Sequence, residues 1–188
     1  MKKMPSLYPR NFKNKGYGYD ASQVNVGVSW VFEGEAVATQ KFDGTSCMVK
    51  DGVLYKRYDH KKGAQKSLPK DAIACQPEAD HKTGHWPHWI PVIKGAPEDW
   101  IHNEAWEAVN GKLEDGTYEL CGPRINGNPE KLSHHVFLKH GSVVYENFRF
   151  KLESIRKFLK ENDIEGVVFH HPDGRMCKVT KEGFGMQR

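Results

Sequence analysis

The apolar positions change period along the chain, and those changes outline its elements. From Ala36 to Tyr58 the residues are mostly β-branched or aromatic, and Asp51-Gly52 lies between Met48-Val49-Lys50 and Val53-Leu54-Tyr55. A two-residue turn of this kind needs φ above zero, which Asp-Gly supplies, so two antiparallel strands joined by a hairpin are predicted. Pro97-Glu98-Asp99 places a proline and two carboxylates in a first helical turn. Trp100, Ile101, Ala105, Ala108 and Val109 follow at helical spacing until Gly111, which predicts a core-facing helix. A second helix is predicted from about Lys151 to Asn162, with Leu152, Ile155, Phe158 and Leu159 on one face. Strands are predicted at Thr117 to Cys121, Ser142 to Phe150 and Gly166 to His170, and Pro172-Asp173-Gly174 turns the last of them into a partner at Arg175 to Lys181.

Two segments lack any period. Tyr8 to Tyr19 is rich in Asn, Lys, Gly and Tyr, so residues 1–20 read as an N-terminal arm. Gly63 to Pro97 is broken by Pro69, Pro77, Pro87 and Pro91, and residues 60–97 read as a loop-rich insertion covering one side of a cleft. The tally is antiparallel hairpins with helices inserted, an α+β class in a single domain over 1–188.

Composition narrows the class further. The 188 residues carry 28 Lys and Arg against 24 Asp and Glu, a formal charge of +4, which suits a polyanionic partner. Hydrophobic residues make up 38% of the chain, enough for a core. Pervasive disorder and a membrane protein are therefore excluded. The polar start Met1-Lys2-Lys3-Met4-Pro5 is unlike a signal peptide, and no apolar run approaches the ~20 residues of a membrane span. The expectation is a soluble, intracellular, cytoplasmic protein. Cys47, Cys75, Cys121 and Cys177 form no C-x-x-C pair and read as reduced thiols. His81, His85 and His88 have ligand-like spacing, but Pro87 breaks the helix that would align them, so they read as a solvent-facing His- and Trp-rich insertion.

The chemistry concentrates in two places. Along a strand Lys41 and Asp43 face the same side, and Gly44 permits a tight turn or the close approach of a ligand. Taken alone, this amine and carboxylate read as a solvated surface ion pair. More than a hundred residues on, Glu165-Gly166-Val167-Val168 precedes a hairpin whose return strand carries Lys178 and Lys181, an arrangement suited to metal and phosphate. Arg57 and Glu119 lie between the two, each on a predicted strand.

In this order, the residues resemble those of the covalent nucleotidyltransferases, which include ATP-dependent RNA and DNA ligases and mRNA capping enzymes. Lys41-Phe42-Asp43-Gly44 is similar to their K-x-D-G nucleophile motif, and Arg57 falls where a basic residue follows it. Glu119-Leu120-Cys121-Gly122 resembles the E-x-x-G element, and Val144 to Phe150 the aromatic strand after it. Glu165 to Val168 resembles the E-G-[VI]-[VI] element, and Lys178 to Lys181 the final lysine strand. The run Val37 to Thr45 and the stretch Glu119 to Glu130 look most like small 5′-3′ RNA ligases of the vertebrate RNA ligase 1 type.

The resemblance implies an adenylation fold of two antiparallel sheets flanked by helices around a nucleotide cleft. It implies that Lys41 forms a lysyl-AMP adduct with ATP, with Glu165 and Lys178 as its catalytic companions. Nucleotide contacts fall to Gln40, Asp43, Gly44, Arg57, Glu119, Lys178, Lys181 and a stacking aromatic, Phe148 or, failing that, Tyr145. Mg²⁺ or Mn²⁺ would be held by Glu165 with help from Asp43, because the leaving pyrophosphate must be neutralised. The amine attacks only when deprotonated, so burial or neighbouring cations must lower its proton affinity. The implied partner is RNA with 5′-phosphate and 3′-hydroxyl ends, touched by Lys13, Lys15, Lys61, Lys62 and Lys66.

The chain departs from the family pattern in two respects. The last two lysines are three residues apart, which puts Lys181 on the opposite strand face to Lys178 unless a bulge intervenes. The seven residues after Lys181 leave no room for a closing OB-fold, which argues against a capping enzyme. Guanylylation with GTP, sealing of nicked DNA, and RNA binding without catalysis remain as rival readings.

Overall fold

Antiparallel pairing organises both sheets. The computed structural model describes residues 2–11, 18–61, 67–81 and 83–188, so Lys13, Lys15, Lys62 and Lys66 lie outside the described residues. In chain order the strands are β1 Val37–Lys41, β2 Thr45–Lys50, β3 Val53–Lys61, β4 Ile73–Ala74, β5 His85–Pro91, β6 Gly116–Cys121, β7 Val136–Lys139, β8 Gly166–His170 and β9 Met176–Thr180. The helices are α1 Trp100–Ala108 and α2 Leu152–Glu161. This is the α+β class that the sequence predicts. The chain forms two compact units, one of Met1–Lys3 with Gly44–Lys139 and one of Met4–Asp43 with His140–Arg188. Among the described residues no helix is long and apolar enough to cross a membrane.

The first unit holds a six-stranded sheet in the order β4-β5-β3-β2-β6-β7. The predicted hairpin is there: Asp51 and Gly52 adopt φ of 51° and 73°, and β2 pairs with β3 from Cys47↔Lys56 to Lys50↔Val53. Cys47, Val49, Leu54, Tyr118 and Leu120 share one sheet face and form a core with Ala105 of α1 and Ile125. The Pro97 helix opens as a single 3₁₀ turn, Pro97–Asp99, and continues as α1. Only Ala105 of α1 is fully buried, and Trp100 is 47% exposed, so this helix meets the core along a narrower stripe than the sequence predicts.

The prolines of residues 60–97 do not prevent a strand. β5 pairs with β3 over seven residues, from Tyr55↔Pro91 to Lys61↔His85. The Val92 N–H donates to the Leu54 carbonyl, so the alternation of an antiparallel ladder puts Pro91 and Pro87 at positions that need no N–H toward β3. A proline costs little at such a position beside a short edge strand. Pro87, His88 and Trp89 are buried, so the solvent-facing insertion is corrected to a structural strand.

The second unit holds a three-stranded sheet, β1-β8-β9. Ala38, Val167, Phe169, Cys177 and Val179 face a core completed by Ile155 and Leu159 of α2 and by Leu7 and Tyr8. Full burial of such side chains contributes roughly 1.5–3 kcal/mol each. The N-terminal arm is therefore part of the fold: the Leu7 N–H donates to the Lys178 carbonyl and the Lys178 N–H to the Pro5 carbonyl. The strand predicted at Ser142 to Phe150 is corrected to irregular chain with one bridge, Thr39↔Val144. Asn147 turns it at φ 58°, and Tyr145, Phe148 and Phe150 pack on the core instead of alternating along a sheet.

Candidate active site

Lys41 ends β1, directly opposite Gly166, the first residue of β8. Glu165 precedes that glycine, and its position depends on it. A Cβ on Gly166 would lie 2.1 Å from the Val179 carbonyl oxygen, so only glycine lets β9 approach this closely. The Lys181 N–H then donates to the Glu165 carbonyl at 2.9 Å, which fixes the backbone that carries the carboxylate. The Lys41 ammonium pairs with Glu165 Oε2, and the two side chains are 22% and 27% exposed.

Burial pushes the Glu165 carboxyl above its ordinary pKa. The field and hydrogen bond of Lys41 and the charge of Lys178 pull the other way, and the charge of Asp43 adds to the rise. Three side chains, Lys41, Asp43 and Lys178, therefore act electrostatically on Glu165. Arg188 joins them, with Nη1 3.9 Å from Asp43 Oδ2 and Nε 3.4 Å from Asp163 Oδ1.

Strand alternation explains the grouping. Cys177 and Val179 point into the core, so Lys178 points to the other face, which Lys41 and Thr39 share through the register Thr39↔Val168↔Lys178. Lys181 follows β9 and starts the 3₁₀ turn Glu182–Phe184, and its side chain is buried. The same face carries a pair that the sequence did not suggest: Thr39 Oγ1 lies 2.9 Å from His170 Nε2. Burial, with the nearby His140 charge, lowers the pKa of that imidazole.

Two further predicted residues lie in this unit but point elsewhere. Gln40 alternates to the core side, where its Oε1 accepts from the Tyr145 hydroxyl at 3.4 Å. The Phe148 ring packs 5.0 Å from Phe158, 5.2 Å from Phe150 and 5.7 Å from Phe169, so its contacts here are those of a core aromatic.

The remaining predicted residues belong to the other unit. Glu119 on β6 stands opposite Ser46 on β2, and the Ser46 hydroxyl donates to Glu119 Oε2 at 3.0 Å. Arg57 lies one residue beyond Lys56, which is paired with Cys47, so it shares the sheet face of Ser46 and Glu119, opposite Trp89. This row of guanidinium, hydroxyl and buried carboxylate has the donors and acceptor that a sugar's hydroxyls need. Gly44 packs against β6: a Cβ there would meet the Leu120 carbonyl oxygen at 2.3 Å and Cys121 Sγ at 2.7 Å. Ser46 itself carries no motif, and only its register opposite Glu119 identifies it.

The donor set around Lys41 suits a hard, partly hydrated cation. Among the described residues no three His, Cys, Asp or Glu side chains form a ligand cluster. The charge of Asp43, however, adds to the cost of ionising Glu165, and a divalent ion relieves that cost. Mg²⁺ and Mn²⁺ need only one or two carboxylates when phosphate oxygens and water complete the shell.

The family model for RNA ligase 1 matches residues 104–188, which include Glu119, Glu165 and Lys178. RNA ligase 1 of Mus musculus is 26% identical over 221 aligned residues, covering 80% of this chain and 67% of that protein. RNA ligase 1 of Pongo abelii is 30% identical over 137 residues, covering 56% of this chain and 42% of that protein. RNA ligase 1 of Danio rerio is 25% identical over 221 residues, covering 81% and 68%.

Proposed function

We propose that this chain, a relative of the RNA ligase 1 proteins, is an ATP-dependent RNA ligase with a nucleotidyltransferase fold. The observation that carries the proposal is the end of the three-stranded sheet where Lys41 pairs with Glu165 and the charges of Asp43 and Lys178 act on that carboxyl. Lys41 releases its proton to solvent, favoured by the like charge of Lys178 on the same sheet face. The neutral Nζ attacks the α-phosphorus of ATP, a P–N bond forms, and the P–O bond to pyrophosphate breaks. The adenylyl group then moves to the 5′-phosphate of an RNA end, and Lys41 regains its amine. A 3′-hydroxyl attacks that activated phosphate, forming the phosphodiester and expelling AMP.

Each neighbour has a task in this scheme. Lys178 balances charge on the phosphate, and Asp43 and Glu165 would hold Mg²⁺ or Mn²⁺, which supplies neutralisation of the departing pyrophosphate. By the motif resemblance Arg57 and Glu119 bind the ribose hydroxyls, and Gly44 is assigned a nucleotide contact. Gln40, Lys181 and Phe148 are assigned nucleotide contacts on the motif resemblance alone. The same reading makes residues 1–188 one adenylation module in a cytoplasmic RNA repair or processing enzyme. Lys61, exposed at the end of β3, contacts RNA phosphates together with Lys13, Lys15, Lys62 and Lys66.

The test is incubation with α-labelled ATP or GTP and Mg²⁺ or Mn²⁺, followed by denaturing electrophoresis and intact mass. The expected result is a gain of one AMP from ATP that disappears in Lys41→Ala, and joining of 5′-phosphate to 3′-hydroxyl RNA ends. Labelling by GTP instead would make the protein a guanylyltransferase. No adduct with any nucleotide would leave an RNA-binding module.

A further inference from the structure

The carboxylates of the Lys41 corner already have cationic partners. Glu165 pairs with Lys41 and lies in the field of Lys178, while Asp43 faces Arg188. Arg188 itself is 15% exposed and is held from several directions. Its Nε and Nη2 lie 3.4 Å from the Asp163 Oδ1 and carbonyl oxygen, and the Met186 N–H donates to the Lys181 carbonyl at 2.9 Å. The guanidinium is thereby kept at ion-pair distance, 3.9 Å, from Asp43.

We infer that Arg188 is a positioning residue that occupies Asp43 until phosphate arrives, so that a divalent cation and a nucleotide bind together and not the cation alone. The inference rests on the reading of Lys41 as the adenylylated residue. Lys41 and Lys178 act on Glu165, and Arg188, itself tied to Asp163, stands 3.9 Å from Asp43, so a lone divalent ion must displace a cation from each of the two carboxylates it would use. A polyphosphate reverses that balance. It offers Arg188 a better, bidentate partner, and Asp43 then becomes available to the metal. The two ligands are thus linked through one side chain, and by reciprocity the metal strengthens nucleotide binding by the same factor.

The experiment is titration of the full chain with Mn²⁺, reading free Mn²⁺ by electron paramagnetic resonance, with and without α,β-methylene-ATP. Arg188→Gln should lower the Kd for Mn²⁺ alone at least threefold, Arg188→Lys should stay within twofold of the parent, and the analogue should shrink the difference. In an Asp43→Asn background Arg188→Gln should have no effect, because the coupling runs through Asp43. Arg188→Met, similar in reach and uncharged, repeats the measurement if the Gln variant melts early. Mn²⁺ affinity unchanged or weakened by both neutral variants would overturn the inference, as would an equal effect in the Asp43→Asn background. Because the binding is read without turnover, absence of a Lys41 adduct in the parent protein would refute the ligase reading and leave this result standing.

Discussion

Each unit contains a lysine–carboxylate pair on a sheet, and the two pairs differ in what surrounds them. Lys56 on β3 pairs with Asp99, which is fully buried at the start of α1 and also accepts the Ile93 N–H at 2.8 Å. Lys41 pairs with Glu165 at a strand end where both side chains keep about a quarter of their surface. The first carboxylate is saturated by the fold and cannot change partners without loosening α1. The second is held by one ammonium, disfavoured by its own burial and faced by a second carboxylate, so it is ready to exchange partners. The same two side-chain types thus make a structural tie in one unit and a reactive corner in the other.

Single substitutions should separate the two pairs in opposite senses. Lys41→Ala removes a pair whose side chains keep about a quarter of their surface and which is worth about 1 kcal/mol, so the melting temperature should move by only a few degrees. Nucleotide adduct formation should vanish completely, as read by intact mass. Asp99→Ala leaves the Lys56 ammonium without its partner, which costs about 3–5 kcal/mol and lowers the melting temperature by on the order of 10 °C. An Asp99→Ala protein that melts like the parent would abolish the contrast.

The glycine that frames the reactive corner gives a smaller, mixed effect. Gly166→Ala puts a methyl group 2.1 Å from the Val179 carbonyl oxygen, so β8 and β9 must separate where Lys41, Glu165 and Lys178 meet. A loss of about 1–3 kcal/mol is expected, with adduct formation slowed at least tenfold. Differential scanning calorimetry and a labelling time course measure the two. Slowed labelling without lost stability would show that the strand contact is not what places Glu165.

These contrasts also mark what the chain discloses before folding. The Asp51-Gly52 hairpin, α2 and the β8–β9 return are legible because local turn chemistry and apolar period agree with the final packing. β5 is not legible, since whether a proline breaks a strand depends on which of its neighbours needs an N–H. Tyr145, Phe148 and Phe150 suggest a strand by residue type, yet α2 and Phe169 capture the rings and leave the backbone irregular. Within the candidate site, Lys41, Asp43, Glu165 and Lys178 could be listed from spacing. Ser46 and Arg188 could not, because register and a long-range contact bring them in, and neither leaves a local pattern.

The smallest effect, and the most direct probe of the exchangeable carboxylate, lies in pH. Glu165 has a folded-state pKa raised by burial, so the native protein binds its proton more tightly than the unfolded chain does. Its contribution to stability is therefore fully present below the ordinary carboxylate value of about 4.3 and is lost as pH rises through the raised folded value. Asp173 is the opposite case in the same unit: hydrogen bonds led by the Arg175 N–H lower its pKa, so its contribution is present above about pH 4 and lost on acidification. Urea midpoints of the parent, Glu165→Gln and Asp173→Asn from pH 3 to pH 7 measure both. The parent's advantage over Glu165→Gln should shrink as pH rises, and its advantage over Asp173→Asn should shrink as pH falls. Parallel curves for Glu165→Gln would mean that Lys41 fully compensates its burial, and that this corner is as settled as the Lys56–Asp99 tie.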